Sequence, residues 1–209
     1  FEWLSDTPPG PNPTSYENED IAGLLSGLRE FADSGEVAVS DDGIDHSERI
    51  IGIVDAGYYL MTGTSLRNER AKILLLSRAN YRASIDEEFE NQFATAGARE
   101  MPGVYFNREK LKEFAVGFTS RRLGRVVVVI NGERPIPNVI DTLAHEVGHM
   151  RQDLVNPALQ NAATINPLIS GLLEAQAQQF QHAFWLTVEE FTGGTFLTFP
   201  DAPMFRAFI

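Results

Sequence analysis

The stretch Thr142-Leu143-Ala144-His145-Glu146-Val147-Gly148-His149 sets two imidazoles four positions apart, with a carboxylate beside the first. On an α-helix, residues i and i+4 lie one turn apart on the same face, close enough to share one metal ion. Zinc accepts imidazole nitrogen at ~2.0–2.1 Å, and a catalytic zinc takes three protein ligands and keeps one position for water. Such an ion lowers the pKa of its water to about 7, which brings that proton within reach of a carboxylate base. Glu146, next to His145, is placed to take the proton and later deliver it to a leaving amine. The chemistry these residue types point to is metal-assisted hydrolysis of an amide bond.

Two imidazoles are one ligand short. The metzincin extension would put glycine at 152 and histidine or aspartate at 155, and the chain has Gln152 and Val155. The remaining source is a carboxylate on a second helix. Glu174 is the candidate, 25 positions after His149 in Gly171-Leu172-Leu173-Glu174-Ala175-Gln176-Ala177. It falls off the apolar stripe of Ile169, Leu172, Leu173, Phe180 and Ala183, and the small residues Ala175 and Ala177 would let two helices approach closely. Glu189 and Glu190, near the end of the same helix, are weaker alternatives. Asp153, one turn beyond His149, reads better as a carboxylate that orients a histidine than as a ligand, because a third turn carries it too far along the axis. His182, two turns past Glu174, is a candidate donor to a developing oxyanion.

These residues need two helices and a rigid support. Residues 125–131 are valine-rich and end at Asn131-Gly132, a strand followed by a turn. Pro135 and Pro137 break the chain, and Asn138 as N-cap, with Asp141 in a capping-box-like position, predicts a helix over 139–154. On that helix Ile140, Leu143, Val147 and Leu154 form the buried stripe, while His145, Glu146 and His149 face the other way, toward a cleft. Asn156-Pro157 stops it, a polar loop follows, and Asn166-Pro167 starts a last helix that runs to about 191 and ends at Gly193-Gly194. Upstream, Ile21, Leu24, Leu25, Leu28 and Phe31 recur at helical spacing, and strands are expected at 49–54, 71–76 and 104–106. Residues 84–98 read as a solvated acidic helix or loop, and Arg121, Arg122 and Arg125 as a basic cluster serving solubility. Residues 1–18, with Pro8, Pro9, Gly10, Pro11 and Pro13, read as a flexible tail, and 19–209 as a single catalytic domain. The apolar closing segment 195–209 is expected to pack back on the body or onto further sequence.

The strand, the HExxH helix and the downstream Glu174 helix together resemble the gluzincin-type zinc metallopeptidases, over roughly residues 125–190. That resemblance implies an α+β fold, with a small mixed-sheet lobe packed on a helical lobe that carries both metal-ligand helices. It implies one Zn2+ per chain held by His145, His149 and Glu174, Glu146 as general base, and residues 126–130 as the sheet edge that binds substrate backbone. The chain departs from the larger members at Gln178, where they often carry aspartate, and in having no tyrosine after Tyr105 to polarise the scissile carbonyl.

Composition narrows the partners. With 17 Lys+Arg against 29 Asp+Glu the net charge is −12, which disfavours nucleic acid or an anionic membrane surface and leaves a peptide or protein substrate. Cysteine is absent, so disulfide scaffolds, thiolate metal sites and cysteine nucleophiles are excluded. The longest apolar run, 126–130, is strand length and far below the ~18–20 residues of a membrane span. Two further readings stand beside the peptidase. One is a metal-bearing binding module without turnover. The other is the proteolytic piece of a larger secreted toxin or effector, suggested by the non-Met start at Phe1, the proline-rich opening and the apolar end.

Overall fold

A valine-rich segment that is apolar at every position from 126 to 130, if it forms a strand, must be covered on both faces. The computed structural model, which describes residues 15–32, 34–96, 115–122, 125–163 and 166–194, puts it at the centre of a three-stranded mixed sheet. The strands are β1 (Ala71–Leu76), β2 (Gly117–Arg122) and β3 (Arg125–Asn131), in the order β1-β3-β2. β3 runs parallel to β1, with Ile73 opposite Val128, and antiparallel to β2, with Thr119 opposite Val128. Val126, Val128 and Ile130 enter the main core, whereas Val127 and Val129 join Tyr81 and Ile85 in a smaller cluster on the other face. The expectation that 126–130 forms a free edge is therefore corrected: both sides of β3 are paired, and among the described residues the edges belong to β1 and β2.

Among the described residues six α-helices surround this sheet: α1 (Asn18–Ala32), α2 (Ser47–Thr62), α3 (Arg78–Ala96), α4 (Ile136–Val155), α5 (Pro157–Ala163) and α6 (Pro167–Thr192). The fold is α+β, a small sheet lobe against a larger set of helices. Among the described residues no helix is long and apolar enough to cross a membrane. The strand expected at 49–54 is part of α2. Ile50, Ile53, Val54 and Tyr58 are buried at the spacing of one helical face, and the helix continues through Tyr59 and Leu60 to an αL Gly63 at φ 72°. A short apolar run fits a buried strand and a buried helix equally well, and only its continuation decides.

The strand expected at 71–76 forms as β1, and the acidic stretch lies on α3. α4 begins at Ile136, earlier than expected, with Pro137 tolerated in its first turn. Asn138 is thus inside the helix, where its carbonyl accepts from the Thr142 hydroxyl at 2.8 Å. Asp141 makes no capping box; its carboxylate accepts from Trp185 Nε1 at 2.8 Å and ties α4 to α6. Asn166 caps α6 as expected, accepting from the Leu168 N–H at 3.0 Å, and Gly193 ends it in the αL conformation. The polar loop expected before it contains the short α5. The expected strand at 104–106 and the apolar segment 195–209 lie outside the described residues.

Asp55, fully buried on α2, knits the front of the molecule. It accepts from the Tyr16 and Ser65 hydroxyls at 2.7 and 2.8 Å and from the Leu66 N–H at 2.6 Å. Tyr16, which falls within the stretch expected as tail, is held to the body by this bond and by an edge-on contact with Tyr59.

Helix α2 meets α6 where Gly57 receives the Phe184 ring, and a Cβ at 57 would overlap that ring. Gly57→Ala should lower stability by ~1–3 kcal/mol through overpacking. In a chain of this size that is roughly 2–4 °C in melting midpoint per kcal/mol. Gly23→Ala on α1, where a Cβ meets nothing within 4 Å, should instead raise it by ~0.5–1 kcal/mol, as helix propensity dictates. Paired thermal melts read both.

Candidate metal centre

His145 and His149 leave α4 on one face, their rings edge to face with centroids 4.9 Å apart. Opposite them, on α6, stands Glu174. Its Oε1 lies 3.1 Å from His145 Nε2 and its Oε2 lies 3.2 Å from His149 Nε2, so each oxygen serves one ring. One ligand atom from each of the three residues lies within 4.8 Å of the others, and no other such group of three occurs among the described residues.

Backbone packing makes this approach feasible. Gly148 lies against α6, where a Cβ would come within 3.0 Å of the Ala177 Cα. Ala177 is fully buried, while Ala175 faces solvent, so of the two small residues expected to admit the neighbouring helix only Ala177 does so. Gln181 Nε2 donates to the Asp141 carbonyl at 3.2 Å and fixes the two helices further along.

The residue that orients His149 is Gln152, and Asp153 has a different task. Gln152 Nε2 donates to the Leu173 carbonyl at 2.7 Å, which points its Oε1 at His149 Nδ1, 3.0 Å away. The Gln160 amide donates to the same oxygen at 3.2 Å. An acceptor at Nδ1 keeps the proton there and turns Nε2 toward Glu174. Asp153, one residue on, points to the sheet instead, with its Oδ1 3.2 Å from Arg121 Nη2. Arg121 is therefore more than a soluble end of β2: it pins that strand to α4, donating also to the Asp153 carbonyl at 3.0 Å.

Glu146 departs from the expected orientation. The two histidines are partly open to solvent, but Glu146 is buried beneath β2 at 7% exposure. Gly117 supplies the space, since a Cβ there would come within 3.1 Å of Glu146 Cγ. The Thr119 hydroxyl donates to Glu146 Oε2 at 2.8 Å. Thr119 carries no sequence signal beyond sharing a strand face with Gly117 and Arg121. Gln152 did carry one, three residues after His149 on its own helix face. His182 is eight residues past Glu174, about 12 Å along the axis, and Glu189 about 22 Å. Neither belongs to the group of converging ligands.

The site pulls its acids apart. Hydrogen bonds from His145 and then His149 hold the Glu174 carboxyl well below the usual carboxylate range, against the effect of its partial burial. Burial pushes Glu146 upward, and the His149 charge and the Thr119 hydroxyl offset only part of that. Burial alone would lower His149, yet the Glu174 hydrogen bond, the Glu146 charge and Gln152 together raise it above its ordinary 6.5.

Two outcomes follow for this centre. If the group holds zinc, replacing Gln152→Leu should weaken that binding by ~10–100-fold, the usual effect of losing a histidine's orienting partner. Asp153→Asn should leave affinity unchanged, and competition with a chromogenic chelator separates the two. In the metal-free chain, the raised His149 contributes stability that is full below pH 6.5 and is lost as pH rises through its folded value. The depressed Glu174 contributes stability that is full above 4.5 and is lost on acidification. Chemical denaturation with chelator present should therefore show the His149 contribution falling as pH rises above 6.5, and His149→Gln should flatten that slope.

No protein-family model, curated protein or solved structure matches the chain.

Proposed function

We propose that this protein is a gluzincin-like zinc peptidase, with His145, His149 and Glu174 holding one Zn2+ and Glu146 as general base. The observation that carries this reading is the convergence of two Nε2 atoms from one helix on both oxygens of a carboxylate 25 positions downstream. The donor set, two imidazoles and one carboxylate, is that of zinc hydrolases, and it leaves room for solvent. The ion, when bound, supplies the Lewis acidity that makes water nucleophilic near neutral pH.

The chain's own residues then divide the remaining work. Glu146, desolvated under β2, is a stronger base than an exposed glutamate. Thr119 occupies its Oε2 and leaves Oε1 to accept a proton. Substrate backbone is assigned to the outer edge of β2, the strand that touches Glu146 through Thr119, and no longer to β3. A peptide added there would lie antiparallel or parallel to a strand whose register is pinned to α4 by Arg121 and Asp153.

A second reading, a metal-bearing binding module without turnover, is favoured by the absence of any tyrosine after Tyr105 and by the seclusion of Glu146. One experiment decides between them. Zinc content is measured by elemental analysis, and cleavage of a broad peptide library by mass spectrometry. Glu146→Gln should keep about one zinc per chain and lose at least ~100-fold in cleavage rate, the lower range for a general base. His149→Ala should lose both metal and cleavage. Zinc with no products from the parent chain supports the binding module, and no zinc at all overturns both readings.

A further inference from the structure

The sheet has a second pocket, which none of the three candidate metal ligands lines. It opens where β1 and β3 end, has a volume of about 180 Å³, and is lined by Arg78, Tyr81, Arg82, Asn131, Glu133 and Arg134 among others. A water in the liquid takes about 30 Å³, so the space suits a small polar group rather than one solvent molecule. Arg78 and Arg82 stand one turn apart at the start of α3, with Tyr81 between them. Arg134 comes from the loop after β3 and donates to the Thr142 hydroxyl at 2.9 Å, which holds its guanidinium against α4.

Tyr81 is the unusual member. Its residue is 1% exposed, and its hydroxyl has no hydrogen-bond partner among the described residues. A buried polar group in that state costs stability unless something else satisfies it. Burial keeps the phenol protonated far above its ordinary value, so it offers an O–H donor. The acid in the lining is already engaged: Glu133 Oε2 accepts the Arg78 backbone N–H at 3.1 Å, and its own N–H donates to Asn131 Oδ1. The lining thus carries three guanidinium groups against one carboxylate, in a chain whose acids outnumber its bases 29 to 17. Guanidinium and phenol donors select an oxyanion, and a forked guanidinium matches one in geometry.

We propose that this pocket binds a small oxyanion, the phosphate or carboxylate group of a ligand, through the Tyr81 hydroxyl and the guanidinium groups of Arg78, Arg82 and Arg134. The inference does not rest on the peptidase reading: none of these residues touches His145, His149 or Glu174, and the Glu146 carboxylate acts on Tyr81 through its charge, which further favours the protonated phenol.

The test is isothermal titration of sodium phosphate, and separately of sodium acetate, into the full chain at constant ionic strength. 1,10-Phenanthroline, a chelator without an anionic group, is present throughout, so that no metal can capture the anion. At least one anion should bind saturably, and Tyr81→Phe and Arg82→Ala should each weaken it by about tenfold, the loss of one charge-assisted hydrogen bond. Tyr81→Phe keeps the ring and removes an unsatisfied hydroxyl, so the unliganded variant should melt no lower than the parent. Tighter phosphate assigns a phosphate-bearing ligand, and tighter acetate a carboxylate. Absence of saturable binding for both anions, or equal affinity in the parent and both variants, overturns the proposal.

Discussion

Everything at the candidate metal centre depends on how closely two helices can approach. The three candidate ligands come from two helices, and no side chain is long enough to compensate if the axes separate by another few ångströms. Gly148, in the turn between His145 and His149, removes the side chain that would hold α6 away, and Ala177 presents the smallest surface that still fills the gap. Close packing gives interiors little compliance, so a contact of this kind behaves as a fixed stop. Around it the attachments are polar and directional: Gln152 to the Leu173 carbonyl on one side, Gln181 and Trp185 to Asp141 on the other. The apolar contact sets the distance, and the hydrogen bonds set the rotation.

The sheet is small because it has one principal task in this arrangement, to form a wall over α4. β3 is buried on both faces and anchors the wall, and β2 is the part that reaches the site. Along β2, the residues directed at α4 are a glycine that makes room for Glu146, a threonine that bonds its carboxylate, and an arginine that grips Asp153. Alternation along a strand places 117, 119 and 121 on one face, so a slip of one residue would turn all three away at once.

How much of this could be read from the chain alone depended on whether the signal was local. The HExxH spacing, the Asn166 cap, the Gly193 stop and the Glu174 candidate are local patterns, and the structure places each on the helix expected and brings the three candidate ligands together. Residues 49–54 misled because Arg-Ile-Ile-Gly-Ile-Val is short and apolar, and its helical register shows only when Tyr58 is counted in. Asp141 looked like a cap because it stands three residues after an asparagine, yet its partner Trp185 is 44 positions away. Thr119 and Arg121 were silent for the same reason. Their roles arise from pairing across the fold, and such pairings leave no periodic trace. The central placement of β3 was nevertheless written in its composition: a strand apolar at every position is a poor edge.

The two glutamates of the site show what that long-range assembly achieves. As side chains they are chemically identical, and the chain places them on facing elements within reach of the same two histidines. Glu174, half exposed and answered by two ring nitrogens, is held as an anion well below the usual carboxylate range. Glu146, enclosed by β2 and given a single hydroxyl, is pushed toward the proton. Environments that drive two acids apart in this way assign a fixed charge to one and proton exchange to the other. On the proposed reading the fixed charge is the third ligand and the exchanging one is the base. Interchanging their surroundings would defeat both, because an enclosed ligand would resist ionisation and an exposed base bonded to two imidazoles would have no affinity left for a proton.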